Sequence, residues 1–549
     1  DIPERCFSGL SLESIVIEGQ IKKISGNALS ANLKELILPA SLTEIADDAL
    51  SSSLQRLIFK GGDNLAIPAY LFGNPLHVKS SLTYLELGNG IVSIGEAAFG
   101  NCDKLTGRLV LPDTLATIGK NAFSGTEYDS VIFGSAVTAI GESAFESVPL
   151  GEGVDMSRCT SLVTIGMAAF TYSGLTALTL PDSVESIGMY AFDGCESLQV
   201  VKFGEGLKEI GAYAFRNCAT LEKTVYGGNE LEKIGGRAFY NCSRLASTDP
   251  DYVPGEDATT SYVLPEGVVY IGELAFYKAA ITEITIPSTV EKMVYLPFWN
   301  CGSLTKVNYN AANALHRNDD DEASYSNTPF YNCSHINTVV IGSTVETMPA
   351  YLFYNLAELT SVLFPAEGSV TIGSYAFRKC VSLKTIELTN AVAGISSAAF
   401  YDCAALTQIV IPDSVTYVGQ NAFTNTSIVL ENEDGVNYYH NWAISVDDGV
   451  TEVVLREGTV GIAEYAFSKS DVTSIIFTGE LKHINNFAFW QAPLKEVVLP
   501  DSLETVGTGI FHTCTELITI TVPFAEGELP VGWSNTWNNA CNANIVYAK

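Results

Sequence analysis

Basic residues are scarce in this chain of 549 residues. Lys and Arg total 30 against 62 Asp and Glu, so the formal net charge is −32 at pH 7. Such a charge repels a polyanion, and no cluster of Lys and Arg interrupts the acidic background. The sequence therefore predicts that nucleic acid is not a partner.

Long hydrophobic runs are missing as well. The apolar stretches, for example those within SIVI and EVVL, have the length of a β-strand. A membrane-spanning helix needs about 20 consecutive apolar residues, so no membrane insertion is expected. The chain starts at Asp1 inside a repeat, without a signal peptide or a surface anchor, and this start decides nothing about export.

Signatures of catalysis are absent from the sequence. It has no Walker loop, no G-x-S-x-G elbow and no Cys-x-x-Cys pair. The histidines are scattered without metal-ligand spacing, at His77, His316, His335, His440, His483 and His512. Residue type alone leaves a paired-carboxylate glycosidase open, although solvation explains most acids at their repeat positions. We therefore expect no enzyme activity, no catalytic residues, no cofactor and no metal.

What the sequence has in abundance is a repeat. Its landmark is the Phe of an Ala-Phe pair, which mostly recurs every 22 to 25 residues. The clear landmarks are Phe99, Phe123, Phe145, Phe170, Phe192, Phe215, Phe239, Phe276, Phe377, Phe400, Phe423, Phe467 and Phe489. Weaker versions stand at Phe7, Leu29, Leu50, Phe72, Phe298, Phe330, Phe353, Ile444, Phe511 and Trp533. Together with Leu-x-x-Leu-x-Leu, such a period is the signature of a leucine-rich repeat solenoid.

The period limits what one unit can hold. In LTALTLP the side chains of Leu178 and Leu180 are predicted to point inward and those of Ala177 and Thr179 outward, because strand side chains alternate. The remainder has room for about one helical turn. A single repeat buries too few apolar side chains to offset its ordering entropy, so stability belongs to the stacked array.

The units LPDSVESIGMYAFDGCESL, IPDSVTYVGQNAF and LPDTLATIGKNAF resemble the BspA-like, or Treponema pallidum type, leucine-rich repeats of bacterial surface proteins. The resemblance covers Phe7 to Phe511, and the ending GWSNTWNNACNANIVY is similar to terminal caps of that family. It implies a secreted or surface-attached solenoid. Some members bind host matrix proteins or mediate adhesion, but no ligand motif in this chain carries that function over.

The predicted fold is a right-handed leucine-rich repeat solenoid of about 22 repeats, with a parallel β-sheet on the concave face. Short helical turns or short strands are expected on the other face. The predicted regions are a solenoid over 1–424, further repeats over 451–522 and a C-terminal cap over 523–549. Segment 425–450 loses the Ala-Phe signal, and an irregular repeat and a junction between two repeat blocks explain it equally well.

Two polar, acidic insertions interrupt the period, at about 246–261 and 308–328. Insertions in a solenoid emerge on one edge, often the binding edge, although tolerated surface decoration is the simpler explanation. The second insertion holds an acidic cluster that is a candidate binding site: Asp319, Asp320, Asp321 and Glu322. This cluster lacks the ligand order of a calcium loop, so a solvated acidic loop fits it better than a calcium site.

Nine of the twelve cysteines stand three residues after a landmark aromatic: Cys102, Cys195, Cys218, Cys242, Cys301, Cys333, Cys380, Cys403 and Cys514. Equivalent positions of a solenoid stack into a column. A Cys in such a column acts as a small buried hydrophobic residue. We therefore predict free, inaccessible thiols rather than disulfides.

The two outward positions of Leu-x-x-Leu-x-Leu differ in composition. The third position is mostly polar or charged, as at Arg56, Lys223 and Glu452, whereas the fifth is often β-branched and apolar. Near the C-terminus the fifth position is occupied in five successive repeats by Val410, Val429, Val454, Ile476 and Val498. A contiguous exposed apolar stripe is a candidate interaction site. The alternative is that these side chains cover one another across the sheet.

These observations predict a non-catalytic extracellular or cell-surface protein that is a monomer and presents its repeat surface to a protein or matrix partner. A structural spacer or surface scaffold is the first alternative. A carbohydrate-binding protein is the second, and a glycan partner would be favoured by rows of aromatic residues on outward strand positions. Tyr84 is one of few such residues, which counts against that alternative.

Overall fold

The computed structural model describes residues 1–17, 19–73, 80–151, 153–253, 261–315 and 327–548. The chain divides into two compact units, Asp1–Leu304 and Thr305–Lys549, and each unit is a parallel β-solenoid. The predicted solenoid fold is thus confirmed. Asp319, Asp320, Asp321 and Glu322 lie outside the described residues.

Each repeat of the first unit contributes up to two short strands. The Leu-x-x-Leu-x-Leu stretch gives the first-position strands, which are β1 Ser14–Val16, β3 Glu35–Leu38, β5 Arg56–Phe59, β7 Tyr84–Leu87, β9 Thr106–Val110, β11 Glu127–Ile132, β13 Gly153–Asp155, β15 Ala177–Thr179, β17 Val200–Phe203, β19 Lys223–Tyr226, β21 Ser261–Val263 and β23 Glu283–Ile286. A second strand precedes the Ala-Phe turn, and these strands are β2 Lys23–Ile24, β4 Glu44–Ile45, β6 Leu65–Ile67, β8 Ile91–Ile94, β10 Thr117–Ile118, β12 Ala139–Ile140, β14 Thr164–Ile165, β16 Ser186–Ile187, β18 Glu209–Ile210, β20 Lys233–Ile234, β22 Tyr270–Ile271 and β24 Lys292–Met293.

The second-position strands form the longer sheet of this unit. The even-numbered strands from β6 to β24 pair in parallel as one sheet of ten strands. The first-position strands form shorter parallel sheets, of four strands (β1, β3, β5, β7), three (β9, β11, β13) and three (β15, β17, β19). Of the two alternatives predicted for the second face, the structure therefore contains short strands.

The second unit repeats this plan. Its first-position strands are β25 Lys306–Tyr309, β26 Thr338–Ile341, β27 Ser361–Leu363, β29 Thr385–Glu387, β31 Gln408–Val410, β36 Glu452–Val454, β38 Ser474–Ile476, β40 Glu496–Val498, β42 Thr519–Val522 and β44 Asn544–Tyr547. Its second-position strands are β28 Val370–Ile372, β30 Val392–Ile395, β32 Tyr417–Val418, β37 Gly461–Ile462, β39 His483–Ile484, β41 Thr505–Val506 and β43 Gly532–Trp533.

One segment of the second unit departs from the plan. Strands β33 Glu431–Glu433, β34 Val436–Tyr439 and β35 Trp442–Val446 pair antiparallel in chain order, and β35 then pairs in parallel with β37. We call residues 431–446 the hairpin insert. It lies in the segment that lost the Ala-Phe signal.

The landmark phenylalanines stack on one another through the core. In the first unit the ring centroids of Phe170 and Phe192 lie 5.3 Å apart, those of Phe192 and Phe215 5.1 Å, and the planes are within 6° of parallel. All three side chains are fully buried, and the exposed fractions of Leu178 on β15 and of Leu180, directly after β15, are 2% and 3%. The inward and outward alternation predicted for the strand is confirmed.

The Ala-Phe turn is held by a hydrogen-bond ladder between repeats. The N–H groups of Tyr190, Phe192 and Gly194 donate to three carbonyls of the next turn at 3.0, 2.7 and 2.8 Å. We call this pattern the turn ladder. Tyr190 and Gly194 have φ of 59° and 69°, so the turn is left-handed at two positions and is not a helical turn. In the described ranges no helix is long and apolar enough to cross a bilayer.

Candidate functional site

Three residues of the predicted stripe lie side by side in the second unit. Val454 of β36 is paired with Ile476 of β38, and Val498 follows on β40, the next strand. Their exposed fractions are 61%, 60% and 66%, whereas the alternate residues Val453 and Ile475 are buried. This arrangement places three β-branched side chains in one exposed row, which we call the apolar row.

The row continues toward the C-terminus with mixed chemistry. Val498 is paired with Thr521 of β42, and Thr521 with Val546 of β44. Thr521 is half-buried and Val546 is 43% exposed. The third-position neighbours Glu452 and Glu496 are exposed, so carboxylates flank the row on one side.

Val410 and Val429 are not part of this row. Val410, 46% exposed, lies on β31, whose pairing partner is β29. The hydroxyl of Tyr439, from the hairpin insert, binds the backbone of Ile409 on β31. Val429 is 82% exposed but belongs to no strand. The expectation of five successive residues in one stripe is therefore wrong, because the hairpin insert separates β31 from β36.

Lys223 also departs from its predicted outward position. Its side chain is only 5% exposed, and its ammonium donates to the carbonyls of Tyr252 at 2.8 Å and Pro250. Both acceptors belong to the first insertion. Pro250 and Tyr252 of the insertion therefore cover Lys223, and their carbonyls supply the oxygen partners that a buried ammonium needs.

The nine predicted column cysteines are free and buried, which confirms the prediction. Most of these thiols donate to the carbonyl of the landmark Phe one repeat earlier. Cys195 donates to Phe170 at 3.2 Å, and Cys514 donates to Phe489 at 2.9 Å. Burial raises the pKa of Cys102 to about 11 and that of Cys514 to about 12. The column is structural, because most of its thiols satisfy a buried carbonyl.

Aromatic side chains line the outer side of the turns in the first unit. Tyr240 stacks on Tyr277 at 4.5 Å, and Tyr277 contacts Trp299 at 5.0 Å between ring centroids. All three are half-buried. Sequence reasoning considered aromatic residues on strands and missed this strip. The signal was the residue directly after the landmark Phe, which is aromatic in AFY, AFY and PFW.

A charged pair lies on the same outer side of the turns, in the repeats that precede Tyr240. Arg216 donates to both carboxylate oxygens of Asp193 at 2.8 and 2.6 Å, and its guanidinium lies 5.2 Å from the ring centroid of Tyr190 and 5.3 Å from that of Tyr213. The Asp193 side chain is 3% exposed. The bond to this carboxylate raises the pKa of Arg216. The ion pair and the contacts of the guanidinium with the two tyrosine rings thus hold the turns around Phe192 and Phe215 together.

The histidines do not gather into a metal site in the described part of the chain. No group of three His, Cys, Asp or Glu residues with metal-binding geometry occurs there. His483 is buried against Trp442, and its Nδ1 lies 2.8 Å from the Thr505 hydroxyl. Burial lowers the pKa of His483, so the ring is neutral at pH 7. His77 and His316 lie outside the described residues.

The repeat geometry defines the class of this protein: a leucine-rich repeat solenoid. The BspA type leucine rich repeat region family matches in six copies, over residues 1–77, 66–160, 163–252, 255–319, 323–431 and 446–528. The chain belongs to this family. No curated protein matches it.

Several solved structures are similar to this chain in fold. A leucine-rich repeat protein from Bacteroides ovatus ATCC 8483 is 24% identical, with a TM-score of 0.38 over 74% of this chain and 80% of that chain. A leucine rich cell surface protein from Faecalibacterium prausnitzii A2-165 is 22% identical, with a TM-score of 0.28 over 59% and 86%. The leucine-rich repeat protein of T. pallidum is 21% identical, with a TM-score of 0.21 over 50% and 77%.

Proposed function

We propose that this chain is a non-catalytic binding protein, displayed outside the cell, that engages a protein or matrix partner through the apolar row. One observation carries the proposal: Val454, Ile476 and Val498 stand on neighbouring strands and are each at least 60% exposed. Adjacent exposed apolar side chains on a soluble surface favour an interaction site. Membership of a repeat family supports a binding role in general.

The chemistry of the row limits its partner. The carboxylates of Glu452 and Glu496 flank the row, and the whole chain carries a net charge of −32. A partner with an apolar patch bordered by Lys or Arg complements this surface, since opposite potentials speed association and exclude wrong partners. An acidic partner would be repelled.

The test is a binding screen against immobilised matrix proteins, followed by variants. The double variant Val454→Lys, Ile476→Lys places two charges in the row and should weaken binding at least tenfold. Val110→Lys is the matched control, because Val110 is 53% exposed on a first-position strand of the other unit. Thermal unfolding is measured in parallel.

The two measurements separate binding from packing. Loss of binding with unchanged melting temperature supports a partner site. A lower melting temperature with binding intact means that the row only covers the sheet through cross-strand contacts. Absence of any ligand in the screen, with the double variant destabilised, favours the structural spacer.

A second candidate function is glycan binding on the aromatic strip of the first unit. Trp299 lines a cavity of about 420 Å³ together with Glu273, Leu274, Tyr295 and Leu296. An aromatic face beside a carboxylate suits a sugar, which offers apolar C–H faces and hydroxyl donors. A glycan array with Trp299→Ala tests it, with Trp490→Ala as control because Trp490 stands at the equivalent turn position of the other unit.

A further inference from the structure

The turn ladder of the second unit lacks its partner at the hairpin insert. One repeat earlier the N–H groups of Ala398, Phe400 and Asp402 donate to the next turn at 2.8, 2.9 and 3.0 Å. The corresponding donors of the following turn are the N–H groups of Asn421, Phe423 and Asn425. None of these three has a hydrogen-bond partner among the described residues.

The other side of the interruption presents the complementary groups. In regular turns three carbonyls accept the ladder, and in the turn around Phe467 they are those of Glu464, Ala466 and Ser468. These carbonyls also lack a donor among the residues that the structure describes. Three open donors on one wall thus correspond to three open acceptors on the other.

A cavity of about 430 Å³ lies beside the open donors. Its lining includes Ala422 and Phe423 on one wall and Ala463, Glu464 and Tyr465 on the opposite wall. Glu464 is bonded across the cavity to the N–H of Gln420 at 2.9 Å. The lining contains this one carboxylate and no Lys or Arg. The size falls within the range of ligand sites, about 300 to 1,000 Å³.

The cavity exists because the hairpin insert provides no Ala-Phe turn. Phe400 and Phe423 stack at 6.2 Å, and Phe467 and Phe489 at 5.2 Å, while between these pairs the ring of Tyr439 is tilted by 49° against Phe423. The repeat that should add a phenylalanine to the column adds β35 instead. Its Ile444 and Ser445 line the cavity.

We propose that this cavity, the turn slot, binds a loop of a protein partner that carries a small residue followed by an aromatic one. The loop backbone accepts from the open N–H groups of Asn421, Phe423 and Asn425, and its aromatic ring enters beside Phe423. Glu464 favours a loop with a neighbouring cation. The partner thereby completes the interrupted turn ladder.

A peptide fits the slot better than a glycan because of how the open groups are spaced. The donors recur at every second residue along one wall, which is the spacing at which backbone carbonyls of an adjacent segment recur in the regular turns. Addition of a segment to an unpaired backbone edge is an established recognition mode, with side-chain pockets supplying specificity. A sugar ring presents no such row of acceptors.

The probe is a cyclised synthetic peptide that copies residues 207–220 of this chain with Cys218→Ser. These residues contain a regular turn, Ala-Tyr-Ala-Phe-Arg-Asn, so they present the small, aromatic and cationic groups in order. Cyclisation lowers the entropy lost on binding. The control peptide also carries Phe215→Ala and should bind at least tenfold more weakly.

Hydrogen exchange of the full chain, resolved to single residues, reports occupancy. In the free protein the amides of Asn421, Phe423 and Asn425 should exchange at least 100-fold faster than those of Ala398, Phe400 and Asp402, which are hydrogen-bonded in the preceding turn. Saturation with the peptide should slow the first three at least tenfold and leave the other three unchanged.

Variants locate the effect. Ser445→Trp fills the slot from the hairpin insert and should abolish peptide binding. If this variant does not fold, Thr424→Trp fills the slot from the wall of the open donors and serves the same purpose. The proposal is overturned if the peptide protects none of the three amides, if the control peptide protects them equally, or if an oligosaccharide protects them instead. The double variant of the apolar row should bind the peptide normally, so failure of the proposed function and failure of the turn slot are distinguishable.

Discussion

The hydroxyl of Tyr439 accepts a hydrogen bond from the N–H of Ile409 at 2.9 Å and donates one to the carbonyl of the same residue at 2.8 Å. A single side chain thereby satisfies the two backbone groups that a neighbouring first-position strand would have satisfied. Ile409 is fully buried, so these groups have no access to water. The parallel sheet of β29 and β31 therefore ends against the side chain of Tyr439 from the hairpin insert.

Tyr439→Phe should destabilise the protein by about 1 to 3 kcal/mol, because it leaves the buried N–H of Ile409 without a partner, whereas the carbonyl of Ile409 keeps its contact with Nε2 of His440 at 3.0 Å. Urea denaturation measures the change. Tyr172→Phe is the control, since Tyr172 is 61% exposed and should tolerate the loss of its hydroxyl. Equal stability of the two variants would mean that water or backbone movement replaces the Tyr439 hydroxyl.

The sequence predicted the features that depend on one repeat at a time. The period, the inward Leu178 and the buried cysteines follow from the local pattern of strand and turn, and the structure agrees. The burial of Lys223 and the closure of β31 by Tyr439 were not predictable in this way. In both cases the partner lies 27 or more residues away and comes from an insertion, where the repeat provides no register.

The aromatic strip was missed for a related physical reason. Tyr240, Tyr277 and Trp299 are each unremarkable within their own repeat, and their stacking appears only when turns are superimposed. The same holds for Asp193 and Arg216, which are 23 residues apart. Columns of turn residues therefore have to be read across repeats, as columns of strand residues were.

The ion pair between Asp193 and Arg216 gives a prediction of stability. Arg216→Gln leaves a carboxylate that is almost fully buried without its cation, which should cost about 2 kcal/mol or more. Lys208→Gln is the matched control, because Lys208 and Glu185 form an exposed pair with side chains 49% and 50% accessible. Exposed pairs contribute roughly 0 to 1 kcal/mol. Comparable losses in the two variants would contradict the structural role assigned to Asp193.

Gly188 gives a prediction of backbone packing. A Cβ atom at this residue would lie 2.7 Å from the carbonyl carbon of Gly166 in the preceding repeat, which is a clash with backbone. Gly188→Ala should therefore destabilise the first unit by about 1 to 3 kcal/mol, as overpacking does.

The matched control is Gly302→Ala, since a Cβ atom there meets nothing within 4 Å. Its free energy of unfolding should change little, or rise slightly through the reduced entropy of the unfolded chain. Unfolding curves of both variants in urea decide the matter. A harmless Gly188→Ala would show that successive repeats can move apart at this turn.

The buried thiols predict a loss of stability in alkaline solution. Burial raises the pKa of Cys102 from 9.0 to about 11, so between these values the unfolded chain ionises this thiol and the folded chain does not. The contribution is fully present below pH 9 and is lost as the pH rises toward 11. For two pKa units it amounts to about 3 kcal/mol at most.

Urea denaturation between pH 8 and roughly 10.5 should show a falling free energy of unfolding. Cys102→Ala should reduce the slope of this fall with pH, whereas Cys6→Ala, at an exposed position, should not. A slope that is unaffected by Cys102→Ala would place the alkaline sensitivity elsewhere, and rapid reaction of Cys102 with a thiol reagent in the native protein would contradict its burial.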